Sequence, residues 1–141
     1  MQRPGSAVWH GSFKEGSGTI STSSGALNNA PYSVTSRFDG RPGTNPEELI
    51  GAAHAGCFSM AFSLVLGEAH LIADSIETTA DVTLTKVPDG FSISAVHLVM
   101  KAKIPGVNEA TFRELADKAK RLCPVSKVLN AKISLDATLL P

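Results

Sequence analysis

Cysteine is scarce in this sequence: two residues, Cys57 and Cys123, in a chain of 141. That excludes a disulfide-stapled scaffold and leaves two thiols that are either inert core residues or redox-active groups. No Cys-x-x-Cys occurs, which argues against a dithiol–disulfide reductase. An excess of charge of one sign is also missing, with 13 Lys and Arg against 13 Asp and Glu. The basic footprint of a nucleic-acid binder is therefore lacking, and weak self-repulsion makes association between copies easy. Long apolar runs are lacking too. The longest, around Cys57, is interrupted by His54, Ser59, Ser63 and Glu68, short of the ~18 apolar residues that span a bilayer, so no membrane partner is expected. The first nine residues hold one Arg and no apolar stretch, which predicts no secretory signal and a cytoplasmic location. Repeats and low-complexity tracts do not occur. The Gly/Ser-rich stretch 16–25 holds Thr19, Ile20 and Thr22 and reads as a strand with turns.

What is present fits one domain, residues 1–141, long enough to bury a core. The start of the chain predicts strands at 7–13 and 18–22. Alternation over 32–38 predicts a third, with Val34, Ser36 and Phe38 on one face and Arg37 on the other. The strongest helix signal follows. Asn45 suits an N-cap, Pro46 the first helical position, and Glu47 and Glu48 the positive end of the helix dipole. This helix is predicted to run to about residue 69 and is apolar nearly all round. It is therefore either central and buried or packed against a second copy. Strands at 76–87 and 91–103 flank the turn Pro88-Asp89-Gly90. Asn108 suits the cap of a helix over 109–121. Pro124 keeps Cys123 out of helical geometry and opens a short helix to about residue 129. Ile133, Leu135, Ala137 and Leu139 alternate as a last strand. The order β-β-β-α-β-β-α-α-β predicts an α+β fold with a largely antiparallel sheet.

Cys57 lies mid-helix, where the dipole does not help a thiolate. An unperturbed thiol is only about 3% ionised at neutral pH. Lowering its pKa to ~6 takes about 3.4 kcal/mol, which a close Arg with hydrogen bonds can supply. Equally, Cys57 is a small residue of the kind that fills cores. Cys123 sits where a helix N-terminus favours a thiolate, or at an ordinary helix junction. Arg37 and Glu47 are a candidate ion pair. Taken singly, Arg37 also reads as a solvated strand residue and Glu47 as helix N-terminal decoration. His54, three residues before Cys57, shares its helix face. It can activate the thiol or ligate zinc, although His10, His70, His97 and Cys123 show no tight ligand spacing, and a packed histidine is the simpler reading.

The segment from Gly43 to Ala61, which contains Asn45-Pro46-Glu47-Glu48 and His54-Ala55-Gly56-Cys57, resembles the signature of the osmotically inducible protein C family. Cys123-Pro124-Val125-Ser126, Ser36-Arg37-Phe38-Asp39-Gly40, Pro31-Tyr32 and Trp9 match it as well, along nearly the whole chain. The resemblance implies a small α+β domain in an intimate homodimer, with two active sites at the subunit interface. It implies a peroxidase that reduces organic hydroperoxides, and hydrogen peroxide less well, in oxidative or osmotic stress. Cys57 matches the peroxidatic cysteine and Cys123 the resolving one. Arg37 and Glu47 match the pair that activates the thiolate and orients the peroxide. The position of Arg37, on the Arg-Phe-Asp-Gly strand, resembles the osmotically inducible branch rather than the organic hydroperoxide resistance branch. The implied reductant is a dithiol, often a protein-bound dihydrolipoyl group; no metal or organic cofactor is implied.

Thiol chemistry then gives a Cys57 sulfenic acid, a Cys57–Cys123 disulfide, and its reduction by exchange. Phe58, Met60 and Phe62 are candidates for apolar surface near Cys57, though some must face the core. Glu47 precedes Cys57 by ten residues, about 15 Å of helical rise. A shared site therefore needs a helix break, at Gly51 or Gly56, or a Glu47 from a second chain, and the second is expected. The alternative is a non-catalytic dimeric binding protein with structural cysteines.

Overall fold

Two strand systems and four helices follow one another along the chain, in a computed structural model that describes Met1 to Pro141. They fall into two compact units, Met1–Leu49 and Ile50–Pro141.

In the first unit, β1 (Gly5–His10), β2 (Ser17–Thr22) and β3 (Ala30–Ser33) form an antiparallel sheet in that order. Gly18 is required in it by what lies above: a Cβ built there would stand 2.6 Å from the Tyr32 ring. Without it, Trp9 and Tyr32 settle on the sheet with ring centroids 5.3 Å apart.

The strand expected over 32–38 ends at Ser33, and Val34–Phe38 is instead a helix, α1. Ser33 is its N-cap in extended geometry. Its Oγ accepts from the Ser36 N–H at 3.1 Å, and Ser36 Oγ accepts from the Ser33 N–H at 2.9 Å. This reciprocal capping box overrides the period-2 pattern. Ser36 is buried and also donates to the Thr44 carbonyl at 3.0 Å, so α1 is tied to the segment that leads into the next helix. Arg37 therefore stands in the last turn of a helix, and its expected place on a strand face is corrected.

That next helix, α2 (Pro46–Glu68), starts as expected, with Asn45 Oδ1 accepting the Glu48 N–H at 2.9 Å. It continues through Gly51 and Gly56 as one uninterrupted 23-residue helix. By length and composition alone it is long and apolar enough to cross a membrane, which corrects the shorter apolar run read from the sequence. The polar residues that break the run in one dimension are diluted by the alanines, glycines and large apolar residues around them.

In the second unit, β4 (Ser75–Val87) and β5 (Gly90–Lys103) form the expected hairpin. β6 (Lys132–Leu140) joins β5 in parallel, giving the order β4-β5-β6. That is the one parallel pairing between strands. It needs a crossover, which α3 (Glu109–Leu122) and α4 (Pro124–Val128) supply. Asn108 Oδ1 caps α3 through the Thr111 N–H at 2.9 Å. The core joins Phe58, Phe62, Val65 and Leu66 of α2 to Leu98, Met100 and Ala102 of β5 and to Phe112, Ala116 and Ala119 of α3. Gly51 lets α2 approach β4: a Cβ there would stand 2.8 Å from the Ala80 carbonyl oxygen. Phe58 and Phe62 are fully buried in this core, so of the three residues expected to offer apolar surface beside Cys57 only Met60, 77% exposed, is open.

Candidate active site

Two clusters of chemistry-bearing residues emerge, one in each unit. In the second unit, Cys57 is half-buried on α2, and Cys123 is fully buried at the joint between α3 and α4. Pro124 forces that joint. Cys123 has an extended ψ of 118° while its N–H still closes the last turn of α3 on Ala119 at 2.9 Å. Both thiols are free, and the Cys57 sulfur meets the Cys123 thiol and the backbone N–H of Val125. Burial pushes the Cys57 thiol above its usual range; the Val125 N–H pulls it back, and the neighbouring Cys123 pushes it up again. The groups acting on Cys57 in this unit include no cation, so by themselves they hold it as a thiol.

His54 does not point toward metal chemistry, and no three His, Cys, Asp or Glu side chains gather at a metal-binding spacing. It is fully buried, with Nε2 2.7 Å from Ser126 Oγ and Nδ1 without a partner. Burial lowers its pKa and keeps the ring neutral.

In the first unit, Arg37 and Glu47 form a fork. Arg37 Nε donates to Glu47 Oε2 at 3.1 Å and Nη2 to Oε1 at 2.6 Å. The neighbouring Glu48 is taken up by the Thr44 hydroxyl, which leaves Glu47 to Arg37. The guanidinium carbon lies 5.3 Å from the centroid of the Phe38 ring. Beside this pair opens a cavity of about 310 Å³ lined by Trp9, Phe13, Tyr32, Val34, Arg37 and Phe38. An apolar cavity with one oriented cation suits a molecule with an organic body and a polar end.

All four candidate residues thus stand in pairs, Cys57 with Cys123 and Arg37 with Glu47. The aromatic lining was missed in the sequence; Gly18, the one strand glycine opposite both Trp9 and Tyr32, was its signal. Also missed were the Val125 N–H at the Cys57 sulfur and the role of Ser126 as partner of His54.

A family model described as OsmC-like protein matches residues 38–138. The chain is 54% identical to the peroxiredoxin OsmC of Escherichia coli (strain K12) over 136 residues, 96% of this chain and 95% of that relative. It is 32% identical over 101 residues to an organic hydroperoxide resistance protein of Xanthomonas axonopodis pv. citri (strain 306), 71% of this chain and 69% of that one. Among solved structures, the organic hydroperoxide resistance protein OhrB of Bacillus subtilis superposes with a TM-score of 0.71 at 25% identity, covering 96% of this chain and 98% of that one. That superposition accords with the α+β architecture of this chain, two sheets and a long helix.

Proposed function

Since the chain belongs to the OsmC-like protein family, we propose that it is a thiol peroxidase that reduces organic hydroperoxides to alcohols at Cys57, with Cys123 resolving the oxidised sulfur. The observation that carries this reading is the meeting of the Cys57 sulfur with the Cys123 thiol and the Val125 N–H. The Cys57 thiolate attacks the outer peroxide oxygen, the O–O bond breaks, and the alkoxide leaves as an alcohol with a proton. Cys57 is then a sulfenic acid. The Cys123 sulfur attacks it, forming the disulfide and releasing water. A dithiol, such as a dihydrolipoyl group on another protein, restores both thiols by exchange. The chemistry draws on two free thiols and so belongs in a reducing compartment, the cytoplasm.

Arg37 and Glu47 supply the cation and its orientation. Ten residues of unbroken helix put about 15 Å of rise between Glu47 and Cys57, so the fork serves the cysteine of a second copy. In that arrangement residues 1–141 act as one peroxidase domain within a homodimer, and the aromatic cavity holds the organic body of the substrate. The face of α2 that carries Met60 and Leu64, 77% and 64% exposed, is what the second copy covers, rather than lipid.

Purified protein should consume cumene hydroperoxide with dihydrolipoamide as reductant. Cys57→Ser should abolish turnover, and Cys123→Ser should impair cycling with the dithiol. Loss of no activity in Cys57→Ser would overturn the assignment. Absence of turnover with any organic peroxide would favour a dimeric binding protein of the same fold.

A further inference from the structure

We propose that His54 and Ser126 are positioning residues for the resolving step: their hydrogen bond holds the Cys123–Ser126 segment on α2 and keeps Cys123 in reach of an oxidised Cys57. This rests on the peroxidase reading above.

α4 is otherwise weakly held. It has five residues and buries none of them; Val125 is half-buried against the core, and Val128 is 77% exposed. Two side chains of α2, one helical turn apart on one face, fasten this segment. Cys57 receives the Val125 N–H, and His54 receives Ser126 at 2.7 Å. The first contact involves the reacting sulfur and changes when that sulfur gains an oxygen. The second involves no reacting atom and persists through oxidation. Disulfide closure tolerates only a narrow range of backbone separation, about 4.4–6.8 Å between Cα atoms, so a fastening that survives oxidation matters at this step.

The choice of histidine points the same way. His54 is fully buried with Nδ1 unpartnered. An apolar side chain would fill the space without that cost, so what the imidazole contributes is the hydrogen bond from its other nitrogen.

The test follows one turnover. Reduced protein is mixed with one equivalent of cumene hydroperoxide and quenched at intervals, and intact masses report sulfenic acid, trapped with dimedone, and disulfide. Ser126→Ala should leave the rate of Cys57 oxidation within about twofold and slow disulfide closure by about fivefold to tenfold, the worth of one net hydrogen bond. The dimedone-trapped fraction should rise, and Ser126→Thr should restore closure. His54→Gln, whose amide nitrogen replaces Nε2, should close faster than His54→Leu. A control is Ser134→Ala, which removes a second Ser–His contact, at 2.7 Å to His97 on the other face of the β4-β5-β6 sheet, and should change neither step. Closure at the wild-type rate in Ser126→Ala, or equal slowing of both steps, overturns the proposal alone. A wild-type Cys57 that no hydroperoxide oxidises sinks the peroxidase reading and this proposal with it.

Discussion

Arg37 and Glu47 face each other through two parallel hydrogen bonds, and the carboxylate is the better buried partner, 13% exposed against 32%. The carboxylate acts as a fixed seat and the guanidinium as the group it presents. Two of the guanidinium N–H donors are committed to Glu47, and the rest of its five stay outside the fork. The seat is built locally. The Ser33–Ser36 box starts α1, Ser36 ties it to Thr44, and the Asn45 cap starts α2 two residues before Glu47.

The fork geometry should matter more than the charge. Arg37→Lys keeps the cation and loses the planar pair of donors, so kcat/KM for cumene hydroperoxide should fall by roughly tenfold to a hundredfold. Glu47→Ala should fall comparably, because an unseated arginine has no fixed direction. Steady-state kinetics at saturating dithiol would read this; wild-type kcat/KM in Arg37→Lys would show that charge alone suffices.

If the fork serves a second copy, an inactive chain and an impaired one should complement each other. Cys57→Ser and Glu47→Ala proteins, mixed and allowed to exchange subunits, should regain about a quarter of wild-type activity, since random pairing makes half the dimers mixed and gives each one intact site. Subunit exchange followed by differential labelling must accompany the assay. Proven exchange with no recovery would place the fork elsewhere in the cycle.

His54 gives stability a pH dependence of known sign. Its folded pKa lies below the ordinary 6.5, so as pH falls below 6.5 the unfolded chain takes up the proton first. This group's contribution is fully present above pH 6.5 and is lost as pH falls toward the lowered value, by up to about 1.4 kcal/mol per pH unit. Urea midpoints at pH 7.5 and pH 5 should differ more in wild type than in His54→Gln. Identical pH slopes in the two proteins would contradict the burial of a neutral ring.

Gly51→Ala sets two effects against each other. Alanine favours a helix interior by about 1 kcal/mol. The added Cβ, however, would stand 2.8 Å from the Ala80 carbonyl oxygen, a backbone atom that has no rotamer to escape into. The clash should win, with a net loss of roughly 1–3 kcal/mol in urea denaturation. A stabilised variant would mean that α2 shifts away from β4 at little cost.

The features legible in the sequence were those with local causes. Asn45 and Asn108 cap the helices they were expected to cap, and Pro124 sets the joint at Cys123. The hairpin of β4 and β5 follows from its alternation and its turn. α1 was not legible, because the side-chain bonds between Ser33 and Ser36 compete with an alternation that favours a strand equally well. Parallel pairing of β5 with β6 is a contact across the whole crossover, and the pattern within β6 is the same for either direction. Cys57, Cys123, Arg37 and Glu47 stood out through a motif. The Val125 N–H is a backbone group without any residue signature, and the His54–Ser126 bond joins positions 72 residues apart.

The tilted contact between the Trp9 and Tyr32 rings has an optical consequence. The chain holds one tryptophan and one tyrosine, and both border the same cavity beside Arg37. Nearly all of its near-ultraviolet absorption and emission therefore originates at one spot. A change in fluorescence on adding an organic molecule would therefore report on the surroundings of these two rings. The protein carries its own lamp, pointed at the place where the substrate's organic body is proposed to lie.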